Sequence, residues 1–131
     1  NVDFGIILLD IDNFKSVNDT YGHDVGDYVL QTIAKTLRTH IRITDIIGRW
    51  GGEEFLIICI NTNIDNRKIL AENIRKIVEN IKFDKVGTKT ISLGLAQFNE
   101  SDDFKTIFKR ADEALFEAKT TGKNKICVNN N

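Results

Sequence analysis

Apolar and polar residues follow one another along the chain in two patterns, one typical of strands and the other typical of helices. The continuous apolar run FGIILL predicts a strand buried on both faces. Gly51-Gly52 joins two strand-like runs and predicts a tight hairpin, because glycine tolerates the positive φ angles of such turns. The predicted strands lie at residues 4–9, 45–50, 53–60, 90–98 and 125–128.

Helices are predicted where apolar residues recur at intervals of three or four. A short helix precedes Gly22, and a longer one begins beyond Gly26 with Asp27 in its first turn, where the helix dipole favours a negative charge. Two further helices are predicted around residues 65–81 and 107–118. The order β-α-α-β-β-α-β-α-β indicates an α+β fold, a sheet with antiparallel pairs and packed helices, in one domain spanning residues 1–131.

Composition and charge narrow the range of functions. The chain has 131 residues, 41% of them hydrophobic, which suffices for one buried core. Its 18 basic and 19 acidic residues give a net charge of −1, so we expect neither nucleic acid nor a membrane as a partner of this domain. No apolar run approaches the roughly 20 residues that span a bilayer.

Cys59 and Cys127 lie in apolar runs without the spacing of a metal site, which favours buried free thiols and a cytoplasmic location. The sequence contains no methionine and nothing that resembles a signal peptide. We therefore expect a piece of a longer protein, in which other parts can tether the domain to a membrane or a sensory region.

Two pairs of carboxylates are the candidates for chemistry. Asp10 and Asp12 follow the first strand, where side chains two positions apart face the same way. They would repel one another unless a cation lies between them; the alternative is that they only end the strand and cap the next helix. Glu53 and Glu54 follow the glycine pair and indicate either a Mg²⁺ site or a solvated hairpin tip.

Several segments together resemble one known family. RWGGEEF, residues 49–55, matches the signature of the GGDEF domains in its GGEEF form. LLDIDNFKSVNDTYGHDVGDYVL resembles the first conserved block of that family, and ISLGLA, KRADEALFEAK and GKN resemble its later blocks in the same order. The resemblance covers essentially the whole chain. It implies a fold similar to the nucleotidyl cyclases and the polymerase palm, with a central five-stranded, mainly antiparallel sheet.

The resemblance implies a diguanylate cyclase, which joins two GTP molecules into cyclic di-GMP and releases two pyrophosphates. The 3′-hydroxyl of one GTP attacks the α-phosphate of the other, so two domains would meet face to face as a homodimer. Asp10, the main-chain carbonyl of Ile11 and Glu53 would hold Mg²⁺ or Mn²⁺ on the phosphates. Glu53 would also help to deprotonate the attacking hydroxyl, and Glu54 would bind a second metal.

The resemblance also implies substrate contacts. Asn18 and Asp27 match the guanine-recognition pair, in which Asp27 accepts from the N1–H and the exocyclic amine of guanine. Taken alone, these two residues would be interpreted as a turn residue and a helix N-terminal charge. The contacts to the terminal phosphates would come from the main chain at Asn13 and Phe14 and from Lys119 and Lys123.

The segment Arg42-Ile43-Thr44-Asp45 has the form RxxD and resembles the product-inhibition site of the family, where Arg42 and Asp45 would bind cyclic di-GMP. Where the family often has a second arginine, this chain has Asn73, with Arg75 nearby, so the strength of inhibition is left open. Two other functions also stay open: a catalytically silent module that binds GTP or cyclic di-GMP, and a dimerising scaffold. Trp50 is interpreted as a packing residue.

Overall fold

The computed structural model describes residues 3–129, and its elements follow the predicted order. The sheet has the strand order β2-β3-β1-β4-β5; every neighbouring pair is antiparallel except β4 and β5, which are parallel. The predicted α+β fold with a five-stranded, mainly antiparallel sheet is therefore confirmed. The elements are β1 (Phe4–Ile11), α1 (Phe14–Tyr21), α2 (His23–His40), β2 (Ile46–Arg49), β3 (Glu54–Ile60), α3 (Ile64–Glu79), β4 (Ile91–Gln97), α4 (Phe104–Thr120) and β5 (Ile126–Asn129).

Helices cover the two faces of the sheet unequally. Alternate side chains of the central strands pack on α1, α2 and α3, while the intervening side chains pack on α4. Gly94 allows α4 to approach β4 closely, since a Cβ there would lie 2.2 Å from the main-chain oxygen of Ala111. The first layer contains Ile7, Leu9, Ile57, Leu93, Leu95, Val29, Ile33 and Ile74, and the second contains Ile6, Leu8, Leu56, Ala96, Ile107 and Leu115.

Two local predictions about glycines were wrong. The helix α2 begins at His23 instead of beyond Gly26, so its first-turn acid is Asp24 and Asp27 lies further inside the helix. Gly26 does not start the helix; it is a buried helical residue that gives room to a side chain of α1. The predicted hairpin between β2 and β3 does form, but neither Gly51 nor Gly52 has the expected φ angle in the left-handed region.

One charged side chain and one thiol are fully buried inside the fold. Arg67 on α3 is fully buried and lies over Gly5, where it donates to the Thr62 carbonyl at 2.6 Å and to Gln97. Cys59 is a buried free thiol whose pKa is raised to about 12 by burial, whereas the free thiol of Cys127 is only partly buried.

None of the helices within residues 3–129 combines the length and the apolar character of a membrane span.

Candidate functional site

The carboxyl end of β1 carries an unusual carboxylate. Asp10 lies between two partner strands, opposite Glu54 on β3 and Ser92 on β4. Like charges directly opposite each other on a sheet are destabilising. Burial, opposed by Lys119 and reinforced by Glu53 and Glu54, raises the pKa of Asp10 from 3.8 to about 6.

The Lys119 ammonium on α4 lies between the first pair of acids. Its Nζ is 3.3 Å from Oδ2 of Asp10 and 3.3 Å from Oδ1 of Asp12, so the two carboxylates do face the same way with a cation between them. Asp12 does not cap α1. It is buried and accepts from the hydroxyls of Thr90 and Ser92, each at 2.7 Å, and from the amide of Asn124 at 3.1 Å.

These contacts separate the roles of the two acids. The lone pairs of Asp12 are occupied by protein donors, which suits a structural role. In contrast, Oδ1 of Asp10 is buried and has no hydrogen-bond partner among the described residues, and an unpaired buried oxygen of this kind fits a cation ligand. Within residues 3–129, no three Asp, Glu, His or Cys side chains form a ready cage for a metal. Mg²⁺ does not need one, because it commonly takes one or two carboxylates and completes its shell with phosphate oxygens and water.

The hairpin between β2 and β3 brings the signature acids to the same end of the sheet. The amide of Trp50 donates to the carbonyl of Glu54 at 2.8 Å, and the carbonyl of Glu53 accepts from the amide of Ile11 at 3.2 Å. The backbone of Glu53 is therefore tied to β1 next to Asp10. Burial, followed by the charges of Asp112 and Glu53, raises the pKa of Glu54.

Arg49 holds the tip of this hairpin. Its Nε donates to the main-chain oxygens of Gly51 at 3.2 Å and Gly52 at 3.0 Å. A Cβ on Gly52 would meet no atom within 4 Å, so the tip is open to a ligand. Trp50 packs on α4, with its ring centroid 4.9 Å from that of Phe108, as its interpretation as a packing residue predicted.

The start of α1, which follows closely on the end of β1, offers donors to an anion. Asn13 has left-handed geometry, with φ 57°, and its side chain does not cap the helix, so the first-turn amides from Phe14 onward receive no acceptor from it. The ammonium of Lys123 donates to Oδ1 of Asn13 at 2.8 Å. The predicted phosphate contacts Asn13, Phe14 and Lys123 therefore lie together, whereas Lys119 is paired with Asp10 and Asp12.

The predicted guanine-recognition residues lie on two helices in contact. Asn18 is on α1, and Asp27 is exposed on α2 next to Gly26 in the chain. The side chain of Asn18 lies directly over Gly26, where a Cβ would come within 1.8 Å of its Oδ1. This close approach brings Asn18 beside the turn of α2 that carries Asp27.

The RxxD residues form a pair in which Arg42 is exposed and the side chain of Asp45 is buried beneath it. Arg42 donates to Asp45 from its main-chain amide at 2.8 Å and from Nη2 at 2.9 Å, and a second contact links Nη2 to the carbonyl of Ile60 at 2.6 Å. Asn73 is exposed on α3. Arg75 is engaged elsewhere, since its guanidinium binds Glu72, Glu79 and Asn124.

Sequence reasoning missed three residues that shape the site, namely Arg49, Asp112 and Asn124. All three belong to family motifs, RWGGEEF, KRADEALFEAK and GKN, so their motifs carried a signal. Their roles depend on contacts that the spacing of residues does not reveal.

Comparisons with known proteins agree with this geometry. The family model described as "Diguanylate cyclase, GGDEF domain" matches residues 1–125. The chain is 40% identical over 124 residues to the diguanylate cyclase DgcM of Escherichia coli strain K12, a match that covers 95% of this chain and 30% of DgcM. It is 42% identical over 130 residues to diguanylate cyclase A of Treponema denticola, covering 96% of this chain and 35% of that protein. The chain thus spans about a third of each of these relatives.

Solved structures show the same architecture. The GGDEF domain of DgcB from Caulobacter crescentus, crystallised with c-di-GMP, superposes with a TM-score of 0.96 at 29% identity, over 99% of this chain and 80% of that one. The active GGEEF domain of a diguanylate cyclase from Vibrio cholerae superposes with a TM-score of 0.93 at 37% identity, over 98% of this chain and 84% of that one.

Proposed function

Because the chain belongs to the GGDEF family of diguanylate cyclase domains, we propose that it condenses two molecules of GTP into cyclic di-GMP and releases two pyrophosphates. The observation that carries the proposal is the buried Oδ1 of Asp10, which has no hydrogen-bond partner within residues 3–129; Asp10 pairs with Glu54 of an intact GGEEF hairpin. The cost of burying this oxygen is offset if it binds a divalent cation that also binds a triphosphate.

In this proposal Asp10, the main-chain carbonyl of Ile11 and Glu53 would hold Mg²⁺ or Mn²⁺, with Glu54 available to a second ion. A bound divalent ion neutralises phosphate charge and polarises the phosphoryl group, which is most of what phosphoryl transfer requires from its catalyst. Glu53 would accept the proton of the attacking 3′-hydroxyl. Its backbone bond to Ile11 supports this role, because it fixes Glu53 beside Asp10.

The substrate would be held at two ends. The amides at the start of α1 and the ammonium of Lys123 would bind the terminal phosphates, since the ammonium lies 2.8 Å from Oδ1 of Asn13, the residue that precedes the helix. Asn18 and Asp27 would bind the guanine edge, where only guanine offers a pair of adjacent donors to a carboxylate. Lys119 would exchange its contact with Asp10 for a phosphate oxygen when the nucleotide enters.

Catalysis would require a homodimer. One domain would hold one triphosphate, whereas each half-reaction needs the hydroxyl of one GTP in line with the α-phosphate of another. Cyclic di-GMP would also bind at Arg42 and Asp45 as an inhibitor, after Arg42 releases part of its contact with Asp45. The lack of a second arginine at Asn73 would make this inhibition weak, because one forked arginine contact is missing.

Dimer dependence provides the test of this function. The chain would be assayed alone and fused to a constitutive dimerising helix, with GTP and Mg²⁺, and cyclic di-GMP would be measured by chromatography. We expect the rate per domain to rise with the concentration of the unfused chain and to be independent of concentration in the fusion. A folded fusion that binds GTP but forms no cyclic di-GMP would reject the cyclase and leave a nucleotide-binding regulatory module.

A further inference from the structure

The turn between α4 and β5 has a backbone that local sequence preferences do not favour. Gly122, Lys123 and Asn124 all have positive φ angles, at 130°, 62° and 51°. Residues other than glycine adopt this conformation in succession only where surrounding contacts hold them, and such segments concentrate at functional sites. We call residues 122–124 the phosphate turn, because Lys123 is the proposed phosphate contact.

Two groups of contacts hold Asn124 in place. From the sheet side, its main-chain amide donates to Oδ2 of Asp12 and to Oγ of Ser92, both at 3.1 Å. From the side of α3, its Oδ1 accepts from Nη1 of Arg75 at 2.8 Å and its Nδ2 donates to Oε2 of Glu79 at 2.6 Å. The oxygen and the nitrogen of the Asn124 side chain are therefore both hydrogen-bonded to residues of α3.

Arg75 is itself fixed. Its Nε and Nη2 donate to the two carboxylate oxygens of Glu72 at 2.8 and 2.7 Å, which is the forked geometry that only arginine offers. The remaining nitrogen, Nη1, points to Asn124 and to Glu79. Its side chain is only 13% exposed, so the guanidinium is held between α3 and the phosphate turn.

We propose that Arg75 is a positioning residue for phosphate recognition. With Glu79 it holds Asn124 in left-handed geometry, which aims the ammonium of the preceding Lys123 at Asn13 and the start of α1. This inference rests on the proposed function, since it concerns where the terminal phosphates of GTP bind. It assigns α3 a role in substrate affinity although Arg75 itself does not touch the proposed nucleotide site.

The test compares two guanine nucleotides by calorimetry in the presence of Mg²⁺. One is a GTP analogue with a methylene bridge between its α- and β-phosphates, which cannot release pyrophosphate, and the other is GMP, which lacks the terminal phosphates. Loss of a well-placed contact between a charged donor and a phosphate weakens binding by about tenfold. We expect Arg75→Ala to weaken the analogue by about this factor and to leave GMP unchanged.

Three further variants make the result specific. Asn124→Gly allows the left-handed angle without strain but removes both side-chain hydrogen bonds that hold it, so the turn is no longer fixed and the variant should match Arg75→Ala. Lys76→Ala on the same helix loses only an exposed, 3.9 Å contact with Glu72 and should bind both nucleotides like the wild type. In a Lys123→Ala background, Arg75→Ala should bring no additional loss, because both changes remove the same phosphate contact.

The outcomes distinguish a failure of the positioning role of Arg75 from a failure of the proposed cyclase function. If Arg75→Ala and Asn124→Gly leave the ratio of the two affinities at the wild-type value, or weaken both nucleotides equally, the positioning role is wrong while the cyclase proposal stands. If the wild type itself does not prefer the triphosphate analogue over GMP, the proposed function and this inference fall together.

Discussion

Replacing Gly26 by alanine tests the guanine-recognition pair with a single methyl group. Gly26 lies inside α2 with ordinary helical geometry, so alanine fits the backbone. The new Cβ would, however, lie 1.8 Å from Oδ1 of Asn18 and 3.0 Å from its Cγ. Both atoms belong to a side chain near the surface, which can rotate away.

The two effects of the methyl group have opposite signs. Alanine in a helix interior is favoured over glycine by about 0.5–1 kcal/mol, which offsets part of the strain, so the free energy of unfolding should change by less than about 1 kcal/mol. Guanine binding should suffer more, because a displaced Asn18 loses a hydrogen bond worth about 1–2 kcal/mol. This loss corresponds to a decrease in affinity of about five- to thirtyfold.

The assay is calorimetric titration of the GTP analogue, together with urea unfolding of each variant. Asn18→Ala should weaken binding by a similar factor, and the double variant should bind no more weakly than Asn18→Ala alone. Gly48→Ala is the matched control, since its Cβ would meet no atom within 4 Å. Wild-type affinity in Gly26→Ala, or additive losses in the double variant, would refute the placement of Asn18 at the guanine.

Three other changes probe the interior and the cation site. Arg67→Ala leaves the Thr62 carbonyl without its buried donor and should lower the free energy of unfolding in urea by about 2–4 kcal/mol; a loss below about 1 kcal/mol would contradict this. Gly94→Ala sets a methyl group against the main-chain oxygen of Ala111 and should destabilise the fold by about 1–3 kcal/mol, whereas an unchanged urea midpoint would show that α4 moves freely. The pKa of Asp10 is raised to about 6, so the stability that its protonated form contributes is fully present below pH 3.8 and is lost as the pH rises to about 6. Asp10→Asn does not titrate and should therefore gain stability relative to the wild type between about pH 4 and 7. A constant difference in the free energy of unfolding over that range would contradict the raised pKa.

The arrangement of the sheet followed from the sequence because apolar periodicity reflects burial directly. Leu93 and Leu95 alternate with Gly94 in the sequence, and in the structure both leucines face the layer of α1, α2 and α3 whereas Gly94 faces α4. The start of α2 did not follow in the same way. Gly26 has the local signature of a turn, but a glycine stands there because the side chain of Asn18 on the preceding helix occupies the space that a Cβ would need.

The different roles of Asp10 and Asp12 could not be predicted from the sequence either. The spacing of the two acids treats them alike, whereas the structure gives Asp12 donors from Thr90 and Asn124, 78 and 112 positions away along the chain. Similarly, Arg67 resembles any charged residue on an amphipathic helix until its burial over Gly5 is known. Tertiary contacts over such sequence separations leave no periodic signal.

Cyclic di-GMP formation by the dimerised chain, with Glu53→Gln beside it, tests the central claim most directly. We predict two pyrophosphates for each cyclic di-GMP in the wild type and a rate at least about a hundredfold lower in Glu53→Gln, because the amide cannot accept the hydroxyl proton. Glu100→Gln, which changes an exposed acid outside the site, should keep the wild-type rate. A Glu53→Gln variant that is as active as the wild type would contradict the assignment of catalysis to this hairpin.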